Sequence, residues 1–331
     1  MSTQDTMMAV RLHAYGGPET LVYEQVARPV AEPGQVLVRV GAVGVNPVDW
    51  KTRAGRGVAG NLPQPPVITG WDIAGRVVAL GEGVREFSVG DAVFGMVGFP
   101  GLGAAYAEYV AAPAGHLAHA PAAADELTAA ALPLAALTAW QALFDAADLR
   151  GGQRALIHAA AGGVGHLAVQ LARWKGAHVI GVASARNHGF LRELGAAETI
   201  DYTAAPFERQ VADVDVVLDA AGGDTTPRSY TVLRPGGIVV SIAGGGDQAA
   251  AAACGVRSAA ILVKPSAAQL AEIARLVDAG LLRPTIDRVL PLSAAAEAHA
   301  YGELGRTRGK IVLRVAENEC NDCATTPHVP S

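Results

Sequence analysis

In the first third of the chain the apolar residues come in short runs that glycine and proline interrupt every few positions. From Met8 to about Ala124, Val36–Val45 (VLVRVGAVGV), Ile73–Leu80 (IAGRVVAL), Ala92–Val97 and Tyr106–Ala111 read as strands. Turns at Glu32-Pro33-Gly34, Gly81-Glu82-Gly83 and Gly90-Asp91 separate them. Many short strands with little amphipathic helix between them predict a barrel-like or strongly twisted β domain. Near Asp125 the pattern changes. Glu126–Ala147 is rich in alanine and leucine at helical spacing, and from Gly152 onward strands alternate with helices. Strands are predicted at Ala155–His158, His178–Ala183, Glu198–Ile200, Val214–Asp219 and Gly237–Ile242, and helices after Gly165 and at His188–Leu194. This alternation predicts an α/β fold with a parallel sheet covered on both faces. An amphipathic helix follows at Ala267–Ala279. Two β-like pieces, Ile286–Leu290 and Lys310–Val315, then flank a helix near Ala294–Leu304. These last pieces leave the βα rhythm and are assigned back to the first domain. The expected division is residues 1–124 with 265–315, residues 125–264, and a tail 316–331 expected to be disordered.

Within the second part, RALIHAAAGGVGHLAVQLA (Arg154–Ala172) reads as strand, tight turn and helix. The turn matches the dinucleotide fingerprint G-x-G-x-x-G with Ala160 in the first place, Gly162 in the second and Gly165 in the third. Gly162 lets the main chain approach a pyrophosphate, Gly165 lets helix and strand pack closely, and the helix N-terminus offers free N–H groups and positive potential. A glycine-rich turn alone is weak evidence. Its position after a strand and before a helix is what supports a cofactor site.

About 20 residues past such glycines, an NAD site carries an acid for the ribose 2′-hydroxyl. Here the place falls at Ser184-Ala185-Arg186-Asn187, without a carboxylate. A hydroxyl and a guanidinium suit a 2′-phosphate, which an acid would repel. NADPH is therefore the expected cofactor, with Tyr202 closing over its adenosine end. The bland alternative is that Ser184 and Arg186 merely start a surface helix.

Bulk properties exclude several classes. With 331 residues, half of them apolar and 17% charged, the chain fits about two globular domains. A formal net charge of -5 and the lack of a Lys/Arg run give no nucleic-acid footprint. The N-terminus has no signal-peptide character, and Ala129–Ala142, interrupted by Pro133, falls far short of the roughly 20 apolar residues that cross a bilayer. Three cysteines do not make a disulfide framework. A cytoplasmic protein without membrane contact is expected.

The order of β-rich domain, dinucleotide domain and β-rich return resembles the medium-chain dehydrogenase/reductase superfamily. HAAAGGVG (His158–Gly165), IDY (Ile200–Tyr202), RPGG (Arg234–Gly237) and RGKIVL (Arg308–Leu313) are similar to its zinc-independent quinone oxidoreductase, or zeta-crystallin-like, branch. The similarity spans about Met8 to Val315. It implies a GroES-like domain, a Rossmann domain, an active cleft between them and a homodimer. It also implies that Thr138 contacts the nicotinamide end, that Gly162, Gly163 and Val164 contact the pyrophosphate and that Ser241 lies near the nicotinamide ribose, with Ala161, Gly165 and Lys310 as further cofactor-binding candidates.

Zinc-dependent members of that superfamily resemble one another in a G-x-C-x-x-D run and a G-H-E run. This chain has Gly44-Val45-Asn46-Pro47-Val48-Asp49 and Gly70-Trp71-Asp72. Asn46 stands for the thiolate and Trp71 for the imidazole, so the two best ligands are missing and no metal is expected. Cys320-Asn321-Asp322-Cys323 with His328 has ligand-like spacing but falls in the polar tail.

Hydride transfer without a metal remains, to a small apolar carbonyl or quinone whose oxygen gains charge. Lys51 and Asn46, in NPVDWKTRAG, are the candidate catalytic donors. Lys51 could instead meet a cofactor phosphate or solvent, and Asn46 could simply make the turn before Pro47. Asp49 is expected to pair with a nearby base, and His158 to pack under the cofactor turn. An apolar acceptor pocket is expected from loops at Gly57–Pro66, Gly98–Gly103 and Gly244–Ala260. The leading expectation is an NADPH-dependent reductase of quinones or α,β-unsaturated carbonyls. The alternatives are a dedicated biosynthetic enoyl or ketone reductase and a non-catalytic NADPH-binding sensor.

Overall fold

The computed structural model describes residues 6–315. Strands β1 (Thr6–Leu12), β2 (Leu21–Ala27) and β3 (Gln35–Val45) precede helix α1 (Pro47–Arg53). Strands β4 (Val67–Ile68), β5 (Asp72–Leu80), β6 (Ala92–Met96), β7 (Tyr109–Pro113) and β8 (Leu117–His119) follow. Helices α2 (Glu126–Ala130) and α3 (Pro133–Trp140) lead into the alternating region, which runs β9 (Arg154–Ile157), α4 (Gly165–Trp174), β10 (His178–Val182), α5 (His188–Leu194), β11 (Glu198–Ile200) and β12 (Val214–Asp219). It continues with α6 (Thr225–Ser229), β13 (Leu233–Ser241), α7 (Gln248–Ala253) and β14 (Arg257–Ala260). Last come α8 (Ala267–Asp278), β15 (Ile286–Pro291), α9 (Ala295–Glu303) and β16 (Lys310–Arg314).

Six strands form a parallel sheet in the order β11-β10-β9-β12-β13-β14. Its central strands are apolar on both faces because helices cover both. Leu156, Ile180, Val217 and Val239 pack into one core with Phe207 and Tyr230, while Ala155, Ile157, Val216 and Leu218 enter another with α4 residues Leu167 and Leu171. The chain runs outward from β9 through β10 to β11, then returns to lay β12 on the other flank of β9. That reversal opens a crevice at the carboxyl end of β9, the place where such sheets bind ligands.

The seven-stranded sheet of the N-terminal part runs β15-β16-β3-β5-β6-β8, with β7 also paired to β3, beside a three-stranded sheet β2-β1-β4. Antiparallel pairing of Ile311 with Val45 and Leu313 with Val43 brings the last strand home to β3. This is an α/β fold with a GroES-like N-terminal domain and a parallel-sheet Rossmann domain.

Three sequence expectations need correction. The strand placed at Tyr106–Ala111 begins at Tyr109, because Tyr106 turns inward to bury its ring and hydroxyl. The single helix over Glu126–Ala147 is broken before Pro133, which cannot donate a helix hydrogen bond, and ends in a π-helical turn at Gln141–Ala146. The segment taken as a Gly244–Ala260 loop contains α7 and the edge strand β14. No helix among the described residues is long and apolar enough to cross a membrane.

Candidate functional site

The glycine-rich turn leaves β9 at the mid-sheet crevice. Ala159 adopts a left-handed φ of 48°, which turns its carbonyl to accept the Gly162 N–H at 2.9 Å. A Cβ on Gly165 would stand 2.3 Å from the Ala159 oxygen and 2.7 Å from the Ala160 Cα, so only glycine lets α4 start directly on the strand end. Among the described residues the N–H groups of Gly163 and Val164 have no backbone acceptor. Free N–H groups at a helix N-terminus favour a phosphate.

Beside the turn lies a hollow of about 410 Å³. It brings Ala161 and Gly162 together with Ser184, Arg186 and Tyr202, and no carboxylate among the described residues lines it. Ser184 is half-buried and its Oγ accepts from Asn187 Nδ2 at 3.3 Å, whereas Arg186 and Tyr202 are exposed. His158 lines it too, as expected for a residue under the turn, while sequence reasoning missed Phe207, Arg228 and the return loop at Arg306. Arg228 is held by Glu208 at 2.7 Å, and its guanidinium lies over Phe207. Arg308 donates to Asn187 Oδ1 at 3.0 Å, tying the return loop to this hollow. The basic spacing of Arg306, Arg308 and Lys310, leading into the last strand, was the one available signal. His158 is buried, stacks edge-on against Phe207 and bonds Ser229 Oγ at 3.1 Å. Burial pulls its pKa down to about 4, so it is neutral.

The remaining cofactor candidates lie deeper. Thr138 is buried and donates to the Leu134 carbonyl at 2.6 Å, and Ser241 is buried and donates to that of Gly244 at 2.9 Å. The stem of Lys310 passes Gly163, where an added Cβ would meet its Cδ at 3.4 Å. Its ammonium is committed elsewhere. It donates to the Val45 carbonyl at 3.0 Å and to Asn46 Oδ1, and stands 3.7 Å from Asp72 Oδ2.

Asn46 and Asp72 anchor this buried cluster. Asn46 Nδ2 donates to Asp72 Oδ2 at 2.8 Å, and Asp72 Oδ1 accepts the Leu134 N–H at 2.8 Å, joining β5 to the start of α3. Asp49 was expected to meet a base. Instead its Oδ2 accepts the Asn46 N–H at 2.6 Å and the Tyr106 hydroxyl at 3.0 Å, while its Oδ1 is buried without a partner. Because the Tyr106 proton goes to Asp49, the 2.9 Å contact with His299 is a donation from His299 Nε2–H to the phenol oxygen. Burial pushes Asp49 up to about 7 and Asp72 up to about 6, the latter opposed chiefly by the nearby Lys310 ammonium. Burial likewise lowers Lys310.

These residues do not fit a catalytic zinc. Trp71 is fully buried, donates its Nε1–H to the Gly101 carbonyl at 2.7 Å and stacks edge-on against Phe99, and Lys310 brings a cation to Asn46 and Asp72. Among the described residues no group of three His, Cys, Asp or Glu is disposed to hold a metal. Cys320, Cys323 and His328 lie outside the described residues. Lys51 is exposed on α1, and its ammonium makes no hydrogen bond among the described residues. A larger hollow of about 720 Å³, between the N-terminal sheet at Arg39, Arg76 and Arg314 and the segment 119–129, includes none of the candidate site residues.

Comparison with known proteins agrees with this geometry. Residues 32–122 match the alcohol dehydrogenase GroES-like domain, and residues 194–313 match a family described as zinc-binding dehydrogenase. The chain is 34% identical to the 2-haloacrylate reductase of Burkholderia sp, covering 93% of this chain and 98% of that protein. It is 35% identical to the chloroplast envelope quinone oxidoreductase homolog of Arabidopsis thaliana, again over 93% and 98%. The solved quinone oxidoreductase from Coxiella burnetii superposes with a TM-score of 0.88 at 38% identity, covering 94% of this chain and all of that one.

Proposed function

The chain belongs to the medium-chain dehydrogenase/reductase superfamily, in its quinone oxidoreductase-like branch, and from that premise we propose that it is an NADPH-dependent reductase of quinones or α,β-unsaturated carbonyls. That it is an oxidoreductase of a pyridine-nucleotide family follows from its relatives. The choice of NADPH and the class of acceptor are the further step.

The observation that carries it is the hollow beside Gly162. Ser184, Arg186 and Arg306 supply a hydroxyl and two guanidiniums at its rim, Tyr202 offers a ring, and no acid among the described residues lines it to take a 2′-hydroxyl. A dianionic 2′-phosphate suits such a rim, since charge-assisted hydrogen bonds from arginine are among the strongest available. The N–H groups of Gly163 and Val164 would hold the pyrophosphate, and Thr138 and Ser241 would border the nicotinamide end. When bound, NADPH supplies the hydride.

The chain's own residues then bind and orient the acceptor and stabilise charge on its oxygen. Lys51, whose ammonium on α1 has no partner among the described residues, is the proposed donor to that oxygen. Asn46 has both ends of its amide engaged with Asp72 and Lys310, so we assign it to the wall of the site. No residue is assigned to protonate carbon, because water can do so. The names of the 2-haloacrylate reductase and quinone oxidoreductase relatives support an electron-poor, conjugated acceptor. A homodimer is proposed through the open edge of β14, beside which Leu262 is 57% exposed, and light scattering reports it.

The direct test follows loss of NADPH absorbance with a panel of quinones, enones and haloacrylates, repeated with NADH. Turnover of at least one acceptor, with NADPH preferred, is expected. Oxidation of neither nucleotide by any acceptor would reject the enzyme reading, and a clear NADH preference would reject the cofactor assignment.

A further inference from the structure

We infer that His166 is a positioning residue for the phosphate-binding turn, locking its peptide from the far side and bracing it against the returning chain. This rests on the reading that a dinucleotide pyrophosphate lies on Gly162–Val164.

His166 is the second residue of α4 and is fully buried. Its ring makes two contacts. Nδ1 lies 2.9 Å from the Gly162 carbonyl, and Nε2 lies 3.0 Å from the Thr285 nitrogen. The second contact fixes the tautomer. A backbone N–H can only donate, so Nε2 accepts from Thr285 and the single ring proton sits on Nδ1, donating to Gly162. Only the neutral Nδ1–H form satisfies both ends, and burial keeps the ring neutral by lowering its pKa to about 4.

The Gly162 carbonyl already accepts the His166 backbone N–H at 3.0 Å, the first bond of the helix. The ring takes its second lone pair, so the oxygen is held from two directions. The Gly162–Gly163 peptide is trans, and in a trans peptide the N–H points opposite to the C=O. Fixing the Gly162 oxygen toward His166 therefore aims the Gly163 N–H the other way, toward the open side of the turn. That group has no other partner among the described residues.

The brace on the other side is equally specific. One helical turn on, Gln170 exchanges two hydrogen bonds of 2.9 Å with the backbone of Arg283. Thr285 also accepts the Lys310 N–H at 2.9 Å, and the neighbouring Gly309 N–H donates to the Ala161 carbonyl at 2.9 Å. Residues 283–285 and 309–310 thus form a bracket that grips the turn by its carbonyls. The N–H groups are left for a ligand.

Two conservative variants separate aiming the peptide from merely holding two segments together. In His166→Asn the amide nitrogen replaces Nδ1 and can still donate to Gly162, but the Thr285 acceptor is lost. In His166→Gln the amide oxygen replaces Nε2 and can still accept from Thr285, but the Gly162 donor is lost. The Kd for NADPH, kcat at saturating NADPH and Tm are measured for both, and for His166→Leu.

His166→Gln and His166→Leu are expected to weaken NADPH about 10- to 100-fold, the worth of one hydrogen bond to a charged phosphate, with kcat little changed. His166→Asn is expected to stay within about 3-fold of wild type, because the donor to Gly162 survives. Should His166→Leu fail to fold, the Asn and Gln variants still decide. Affinity restored by Gln and not by Asn would overturn the inference, leaving the ring a strut. Unchanged affinity in every variant would overturn it as well. Failure of the wild type to bind NADPH or NADH would instead reject the proposed cofactor site, and this inference with it.

Discussion

Replacing Asp49 by Asn should make the protein less stable in acid and more stable in alkali. The wild-type carboxylate is fully buried, and one oxygen accepts from Asn46 N–H and Tyr106 OH while the other has no partner. Burial raises its folded pKa from 3.8 to about 7. Between those values the folded state binds more protons than the unfolded state, so stability falls as pH rises. The contribution is fully present below pH 3.8 and is lost once pH passes about 7. About three pKa units correspond to roughly 4 kcal/mol. The amide keeps the shape, carries no charge and accepts both hydrogen bonds through its oxygen, but it buries an unpartnered NH2 in the place of Oδ1, which costs about 1 kcal/mol. The variant should therefore be about 1 kcal/mol less stable than wild type near pH 4 and about 3 kcal/mol more stable above pH 8. Urea unfolding of both proteins at several pH values reads this directly. A stability difference that does not change with pH would refute the reasoning.

Three further outcomes follow. Arg186→Ala and Arg306→Ala should each raise the KM for NADPH about 10- to 100-fold and leave that for NADH nearly unchanged, since each removes one charge-assisted bond to the 2′-phosphate; equal losses with both nucleotides in steady-state assays would contradict the assignment. Lys310→Met should cost about 3–5 kcal/mol in urea unfolding by stranding the buried Asp72 carboxylate, and removing both charges in Lys310→Met/Asp72→Leu should cost less than the sum of the single changes; an additive cycle would show that the pair does not interact. Gly165→Ala should destabilise by about 1–3 kcal/mol through the clash with Ala159 and Ala160 and abolish detectable NADPH binding in a fluorescence titration, and a stable variant that binds normally would count against the close packing of α4 on β9.

Much of this molecule was legible in one dimension. The βα rhythm after Gly152 reports a parallel sheet because strands buried on both faces must be apolar throughout, and the helix at His188–Leu194 and the strand at Val214–Asp219 lie where the pattern puts them. The glycine turn was equally visible, because its signal is local: a strand, small residues and a helix in succession. Ser184, Arg186 and Tyr202 could be singled out because they follow the ends of strands that succeed the turn, and the fold gathers them around one hollow.

The rest was decided by contacts between residues far apart in the chain. Asp49 meets Tyr106 and, through it, His299, and nothing near Asp49 in sequence announces either partner. Lys310 belongs to a segment whose likeness to relatives places it at the cofactor, yet its ammonium is drawn 264 residues away to Asn46, since a buried cation must find acceptors wherever the packing offers them. His166 reads from the sequence as one more residue of an amphipathic helix, and only the returning Thr285 N–H fixes its tautomer. The pattern of apolar and small residues by itself determined most of the elements and the glycine-rich turn, because both depend on neighbours within a few positions. Only the tertiary structure decided which polar side chains are buried together and what protonation state they hold, because those depend on how the last strand comes back against the first domain.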